Sequence, residues 1–394
     1  MQKEIYTILI IIFFAVSCKS NTSTSSSPVH EDGMVEIGEQ WVTKISCQEM
    51  LPLPQIDSCT FIILETNERC LLDLTSRSKI RYCDDKYFIC DMQGVFVFDK
   101  QGRFLNTIGS KGHGPKEYYM ITTFYINEDK KHVVILDGYK GKGLNYDFEG
   151  NFIEEFQIDE TIFSSRSFAA IKNVRYMGNG KIICHYAVSS QSNLGATISN
   201  EDFSDLIVLY ENDVVFEGFF SWFNNTSIKN KNEMLYMKLF CDTIYSYSLD
   251  ENKINTPYLI SAIKSVPDGF KREGQDALDL SLKLIRSGHS AIVNILSTDK
   301  YFLITTFGGS GNILWDINEQ KGYLERCSPY YVNDKCGFSM WVVEADGNNF
   351  IGTISAEKIL ETDDENVINS PKFKAMRNKT TEEDNGAIVI YHMK

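Results

Sequence analysis

The sequence predicts an all-β fold, a six-bladed β-propeller of four-stranded antiparallel blades whose ring is closed by its N- and C-terminal strands. Three observations point there. First, Phe88-Ile-Cys-Asp91 followed by Val95-Phe-Val-Phe-Asp-Lys-Gln-Gly-Arg-Phe-Leu105 returns as Val134-Ile-Leu-Asp137 followed by Leu144-Asn-Tyr-Asp-Phe-Glu-Gly-Asn-Phe-Ile153. The Asp anchors lie 46 residues apart and the D-x-x-G-x-F turns 48 apart, the length of a propeller blade, and one blade cannot bury both its faces alone. Second, no linker interrupts residues 34–394, a span too long for one ordinary core and natural for a ring of repeats. Third, strand-like runs stand at both ends, Thr60-Phe-Ile-Ile-Leu64 and Ala387-Ile-Val-Ile-Tyr391. Pairing them inside one blade closes the ring and removes exposed sheet edges.

The remaining units follow in order. Lys181-Ile-Ile-Cys-His-Tyr186 and Leu206-Ile-Val-Leu-Tyr210 read as strands of a third, separated by a Ser/Asn/Gly-rich loop over 189–204. The run from Thr243 to Ile254 reads as a hairpin of a fourth, strand, polar turn and strand. Tyr301-Phe-Leu-Ile-Thr-Thr-Phe307 with Asn312-Ile-Leu-Trp-Asp316 forms a fifth. Phe338-Ser-Met-Trp-Val-Val343 and Asn349-Phe-Ile-Gly-Thr-Ile354, joined through Asp346-Gly347, form a sixth. Two stretches break the rhythm. Leu278, Leu282 and Ile285, among charges between Gly274 and Arg286, predict a short helix lying on the ring, and 366–379 reads as a surface helix or loop.

Ahead of the ring, Lys3 precedes an apolar run from Ile5 to Phe14, too short for a permanent span and suited to a secretion signal over 1–17. Ala15-Val16-Ser17-Cys18 then resembles the lipobox of bacterial lipoproteins, which implies cleavage before Cys18 and acylation of its thiol. Several acyl chains, at about 0.8 kcal/mol per buried methylene, hold a protein on a membrane without a transmembrane helix. Residues 18–33, rich in Ser and Thr, carry nothing to build a core and read as a flexible tether. Lys19 and the Ser/Thr run stand where an Asp would retain a lipoprotein in the inner membrane or an acidic cluster would send it to the surface. An outer-membrane anchor facing the periplasm is therefore expected, with the cell surface as the alternative.

The net charge of −14, without clustered Lys and Arg, speaks against a nucleic-acid partner. Beyond Cys18, the nine cysteines show no C-x-x-C spacing, so neither a zinc knuckle nor a redox pair is indicated. Cys90 and Cys184 sit in apolar runs and read as small buried hydrophobes, and the disulfide state stays open.

Phe61-Ile-Ile-Leu-Glu-Thr66, Tyr87-Phe-Ile-Cys-Asp91, Ile108-Gly-Ser-Lys-Gly-His-Gly-Pro-Lys-Glu-Tyr118, Asp242-Thr-Ile-Tyr245, Glu383-Asp-Asn385 and Val389-Ile-Tyr391 together resemble the six-bladed propeller lipoproteins of Gram-negative gut anaerobes, loosely related to NHL-repeat propellers. The likeness runs from about residue 56 to the C-terminus. It implies six blades and a tethered exported domain and imports no reaction. One departure is Gly386-Ala387, where a Pro is common in that family.

The conspicuous loop Gly112-His113-Gly114-Pro115 carries His113 and Glu117 as candidate ligand-binding residues, because its glycines permit unusual backbone angles and its proline fixes a turn. The simpler role is an inter-blade turn braced by Glu117 and Tyr118. Asp91 and Asp137 occupy equivalent repeat positions and are expected to accept turn amides. Trp315 and Trp341 are candidates for stacking on a sugar or peptide at the channel mouth. The histidines stand without H-x-H or H-E-x-x-H spacing, Asp346-Gly-Asn-Asn349 and Asp363-Asp-Glu365 lack EF-hand spacing, and no nucleophile elbow, P-loop or dinucleotide fingerprint occurs. The sequence thus points to no metal site and no cofactor. Its expected role is that of a monomeric ligand-binding or protein-interaction scaffold in the cell envelope, recognising a glycan, peptide or envelope protein. The alternative is a propeller lyase or hydrolase with an axial active site.

Overall fold

The computed structural model describes residues 43–394 apart from 46, 50–52, 54, 75–77, 92, 159–170, 190–193, 213–218, 221–225, 231–232, 239–240, 261–263, 268–276, 309–310, 326–330, 333–334, 337–341, 364 and 369. The chain opens with β1 (Thr43–Ile45), β2 (Cys47–Glu49) and β3 (Ile56–Ile63). Blade 1 is β4 (Lys79–Cys83), β5 (Lys86–Cys90), β6 (Val95–Asp99) and β7 (Phe104–Ile108). Blade 2 is β8 (Ile121–Asn127), β9 (His132–Asp137), β10 (Lys142–Asp147) and β11 (Phe152–Gln157). Blade 3 takes β12 (Ile171–Gly178) and β13 (Lys181–Tyr186), passes a short β14 (Val188–Ser189), and ends with β15 (Leu194–Asn200) and β16 (Ile207–Glu211). After β17 (Phe219–Phe220), which pairs with β14, blade 4 is β18 (Thr226–Asn230), β19 (Glu233–Met237), β20 (Thr243–Ser248) and β21 (Lys253–Ile260).

Helix α1 (Ala277–Ser287) leads into blade 5, formed by β22 (Ser290–Ser297), β23 (Tyr301–Gly308), β24 (Asn312–Asp316) and β25 (Lys321–Glu325). A ribbon of β26 (Tyr331–Val332) and β27 (Lys335–Cys336) precedes blade 6. That blade begins with β28 (Val342–Asp346) and β29 (Asn349–Ile354), passes α2 (Ala356–Glu361), α3 (Glu365–Ile368) and α4 (Pro371–Arg377), and continues with β30 (Ala387–Met393). Its outermost strand is β3, antiparallel to β30 from Ile56 opposite Met393 to Ile63 opposite Ala387. The ring is a six-bladed β-propeller, closed as the sequence predicts. The same N-terminal stretch also extends two other blades, because β1 runs parallel to β21 and β2 parallel to β25. It therefore covers the outer edges of blades 4 and 5 before completing blade 6.

The near-continuous apolar strands follow from burial on both faces. Side chains alternate along a strand, so Phe88 packs into the seam between blades 1 and 2 while its neighbours Tyr87 and Ile89 pack into the seam between blades 6 and 1. Val133 and Ile135 likewise face blade 1 whereas Val134 and Leu136 face blade 3. Each of the six seams has its own apolar core. The repeated D-x-x-G turn has a physical reason too. Asp99 Oδ1 accepts from the backbone N–H groups of Gln101 and Arg103, and Asp147 Oδ1 accepts from those of Glu149 and Asn151. Gly102 and Gly150 adopt φ of +81° and +86°. A Cβ at either would stand 2.3 Å from Ile63 O or 2.6 Å from Thr107 O, in the outer strand of the preceding blade. The turn therefore docks each blade on the last.

Several sequence expectations shift. The predicted loop over 189–204 contains β15, whose small alternating residues Gly195, Ala196 and Thr197 are buried between β13 and β16. The first strand of the sixth unit is β28 at Val342–Asp346 instead of Phe338–Val343, and 337–341 lie outside the described residues. The segment 366–379, expected as a surface helix or loop, holds the helix α4, with Lys372 and Lys374 exposed and Phe373 and Met376 buried against Phe61 and Ala387. Gly386 has φ +82°, and a Cβ there would stand 2.4 Å from Ile354 O. Proline, with φ near −65°, does not fit this closure. Residues 1–33, with the signal, Cys18 and the tether, lie outside the described residues.

Candidate functional site at the propeller axis

The first strand of each blade lines the axis. Around the ring β28 packs against β4, β4 against β8, β8 against β12, β18 against β22 and β22 against β28. In most strands of this fold both faces are apolar, but β4 reads Lys-Ile-Arg-Tyr-Cys and β12 reads Ile-Lys-Asn-Val-Arg-Tyr-Met-Gly. Period-2 alternation sends Lys79 and Arg81 to one face of β4, opposite Ile80, which faces the seam core. Lys79 Nζ donates to Thr123 Oγ1 at 2.8 Å, Thr122 O at 3.3 Å and Lys172 O at 2.5 Å. Arg81 donates from Nη1 to Ile80 O at 2.9 Å and from Nη2 to Asn173 Oδ1 at 2.7 Å and Val174 O at 3.3 Å.

Glu344 of β28 is the counter-ion. Its Oε2 accepts from Arg175 Nη1 at 2.6 Å and lies 3.7 Å from Arg81 Nη1, while Oε1 accepts from Ala345 N–H. Burial holds the Lys79 ammonium down to about 7. It also holds Arg81 down to about 9, with the Arg175 charge acting in the same direction and Glu344 against it. Both shifts say the same thing: cations are held where water is scarce. Arg81 Nε and Arg175 Nε are buried and find no acceptor among the described residues.

Arg81, Arg175 and Glu344 form the inner wall of a cleft of about 270 Å³ on the face where β4, β8, β12, β22 and β28 turn into their second strands. Its other charged lining residues are Glu128, Asp129, Asp299 and Asp346, and Ser297, Thr298 and three tyrosines supply hydroxyls. Partial burial and then Glu344 raise the Asp346 carboxyl above the ordinary range. Among the described residues the inner strands of blades 1, 3 and 6 thus put charged side chains, not an apolar plug, at the axis. Among the described residues no three His, Cys, Asp or Glu side chains are grouped so as to hold a metal ion.

The family model described as a domain of unknown function, DUF4934, matches residues 41–392. The chain belongs to the DUF4934 family. Two solved structures share its fold. One is the "Putative exported protein" of Bacteroides fragilis, with TM-score 0.66 and 17% identity over 89% of this chain and 100% of that one. The other is a DUF4221 member from Bacteroides vulgatus, with TM-score 0.53 and 9% identity over 86% of this chain and 98% of that one. None of the curated proteins matches the chain.

In this DUF4934 ring the loop containing His113 sits on the opposite face, between β7 and β8. Glu117 Oε2 accepts from Gly114 N–H at 2.8 Å, and a Cβ at Gly112 would stand 2.1 Å from that carboxylate, so Glu117 fills the inside of its own loop. His113 is exposed and leans on Tyr119, with centroids 4.8 Å apart, and Tyr119 leans on Tyr139 at 4.5 Å. Asp137, fully buried, accepts from the N–H groups of Tyr119, Met120, Tyr139 and Lys140. Asp91 accepts from Gln93 and Gly94 in the equivalent turn. Trp315 is buried in the seam between blades 4 and 5 with its Nε1 enclosed, while Trp341 and Cys18 lie outside the described residues. Cys90 and Cys184 are buried free thiols. Sequence reasoning missed Lys79, Arg81, Arg175 and Glu344. The available signal was a pair of cations at i and i+2 inside a short strand between apolar neighbours.

Proposed function

We propose that this chain is an exported, membrane-tethered lipoprotein whose propeller serves as a binding module of the cell envelope and takes its ligand in the axial cleft. The observation that carries the reading is the cleft itself: a polar, charged concavity at the convergence of five blades, with buried guanidinium nitrogens that find no acceptor among the described residues. Ligand sites combine concavity with a few convergent polar groups. The lipobox-like Ala15-Val-Ser-Cys18 and the Ser/Thr tether support the anchor, and the exported description of the Bacteroides fragilis relative supports the address. The outer membrane, with the domain in the periplasm, is the proposed site, and the cell surface is the alternative.

Two measurements test this. Cys18→Ser should move the protein from the membrane to the soluble fraction, and continued membrane fractionation would remove the lipid anchor from the reading. A thermal-shift screen of small solutes should raise the melting temperature with the right ligand, because binding to the native state stabilises it. Turnover of such a ligand, abolished by one axial substitution, would replace the binding role with an axial enzyme.

A further inference from the structure

The charges of the cleft are layered. At the inner wall two guanidiniums share one carboxylate, since Glu344 Oε2 faces both Arg175 and Arg81. At the mouth stand Glu128, Asp129, Asp299 and Asp346, and among the described lining residues the only cations are the two arginines. Arg81 is 4% exposed, and a guanidinium so buried is costly unless its donors and charge are matched. Its Nε and that of Arg175 find no acceptor among the described residues, and with two guanidiniums on one carboxylate the described inner wall is short of one anion. The charged residues at the mouth are all carboxylates, and partial burial, then the Glu344 charge, hold Asp346 toward its neutral form. A simple anion would meet the acidic mouth, and a simple cation would meet the arginines.

Resting on the axial-cleft reading above, we propose that the cleft binds a small zwitterion, an amino acid or dipeptide, with its carboxylate inward on Arg175 and Arg81 and its ammonium outward among the mouth carboxylates. A carboxylate matches the planar guanidinium fork, which donates in parallel pairs. The volume of about 270 Å³ suits a solute of this size.

The experiment is calorimetric titration of the full chain with alanyl-alanine, N-acetyl-alanyl-alanine and alanyl-alanine amide. The dipeptide should bind, and blocking either end should weaken it at least about tenfold. Arg175→Met should remove binding of the dipeptide. Should that variant fail to fold, Asp299→Asn on the exposed turn should weaken the dipeptide while leaving the acetylated form unchanged. Equal binding of the amide would make the mouth a cation site, equal binding of the acetylated form would make the wall an anion site, and no binding at millimolar concentration would also overturn the zwitterion. A different solute whose thermal shift disappears in Arg175→Met or Asp299→Asn would preserve the axial cleft while overturning the zwitterion. A shift indifferent to both substitutions would overturn the cleft as well.

Discussion

The axis and the His113 loop are both polar and both bring a lysine against backbone carbonyls, yet they are finished differently. In the loop, Asp137 accepts four backbone N–H groups, and Lys140 Nζ donates to the carbonyls of Gly112, Gly114 and Glu117. Glu117 closes on Gly114. These inward-facing polar groups have partners, and the exposed side of the loop carries a short row of rings, His113, Tyr119 and Tyr139. At the axis, two arginines divide one glutamate, and their Nε atoms are left over. A saturated network rigidifies a turn, whereas an unsaturated one retains capacity for something else. The contrast separates a loop closed on itself from the proposed binding cleft better than conspicuousness in the sequence does.

The strongest way to break this contrast is to remove the axial counter-ion. Glu344→Ala should cost about 3–5 kcal/mol in urea unfolding, because it strands two buried guanidiniums. A loss under about 1 kcal/mol would mean that the axis is well solvated and that its orphan nitrogens carry no information. Next comes Asp137→Ala, which should cost about 2–4 kcal/mol by leaving buried N–H groups unpaired while leaving any axial ligand's affinity unchanged. A change in that affinity would show the two faces to be coupled.

A smaller effect sharpens the account of the axis. Lys79 is held at about 7 in the folded protein, against about 10.4 when unfolded. Between those values the unfolded chain binds the extra proton, so stability rises with pH from about 7 to 10, by at most about 1.4 kcal/mol per pH unit. Lys79→Met should flatten that part of the melting-temperature profile, and an unchanged slope would place the ammonium in contact with water. The smallest expected effect is His113→Ala. It removes an exposed ring and should stay within about 0.5 kcal/mol of the parent in thermal unfolding. A larger loss would show that the ring row also holds the loop together.

Much of the fold can be read from the chain because its causes are local. The D-x-x-G turn needs a carboxylate that caps two amides and a glycine at positive φ, and both requirements recur with the blade. Strands buried on two faces have to be continuously apolar, as in Val95-Phe-Val-Phe98. The strand hidden in 194–200 was harder to see, because Gly195 and Ala196 occur there for fit. A Cβ on Gly195 would stand 1.9 Å from the Tyr210 ring, a constraint set by a partner strand and not by local propensity. The parallel additions of β1 and β2 were equally hidden, since three-residue strands carry no periodicity.

By itself, then, the sequence determined the all-β class, the blade period, the turns and the strand-to-strand closure between β3 and β30, because alternation, turn chemistry and the need to cover edges act over a few residues. It also drew attention to His113, because a Gly-His-Gly-Pro loop stands out in one dimension. Only the tertiary structure decided where the chemistry lies. Arg81, Arg175 and Glu344 are far apart in the chain and belong to three blades, and they meet because each stands on the inner strand of its own. The radial convergence of a ring, not any spacing along the sequence, turned three unremarkable strand residues into one buried charge cluster.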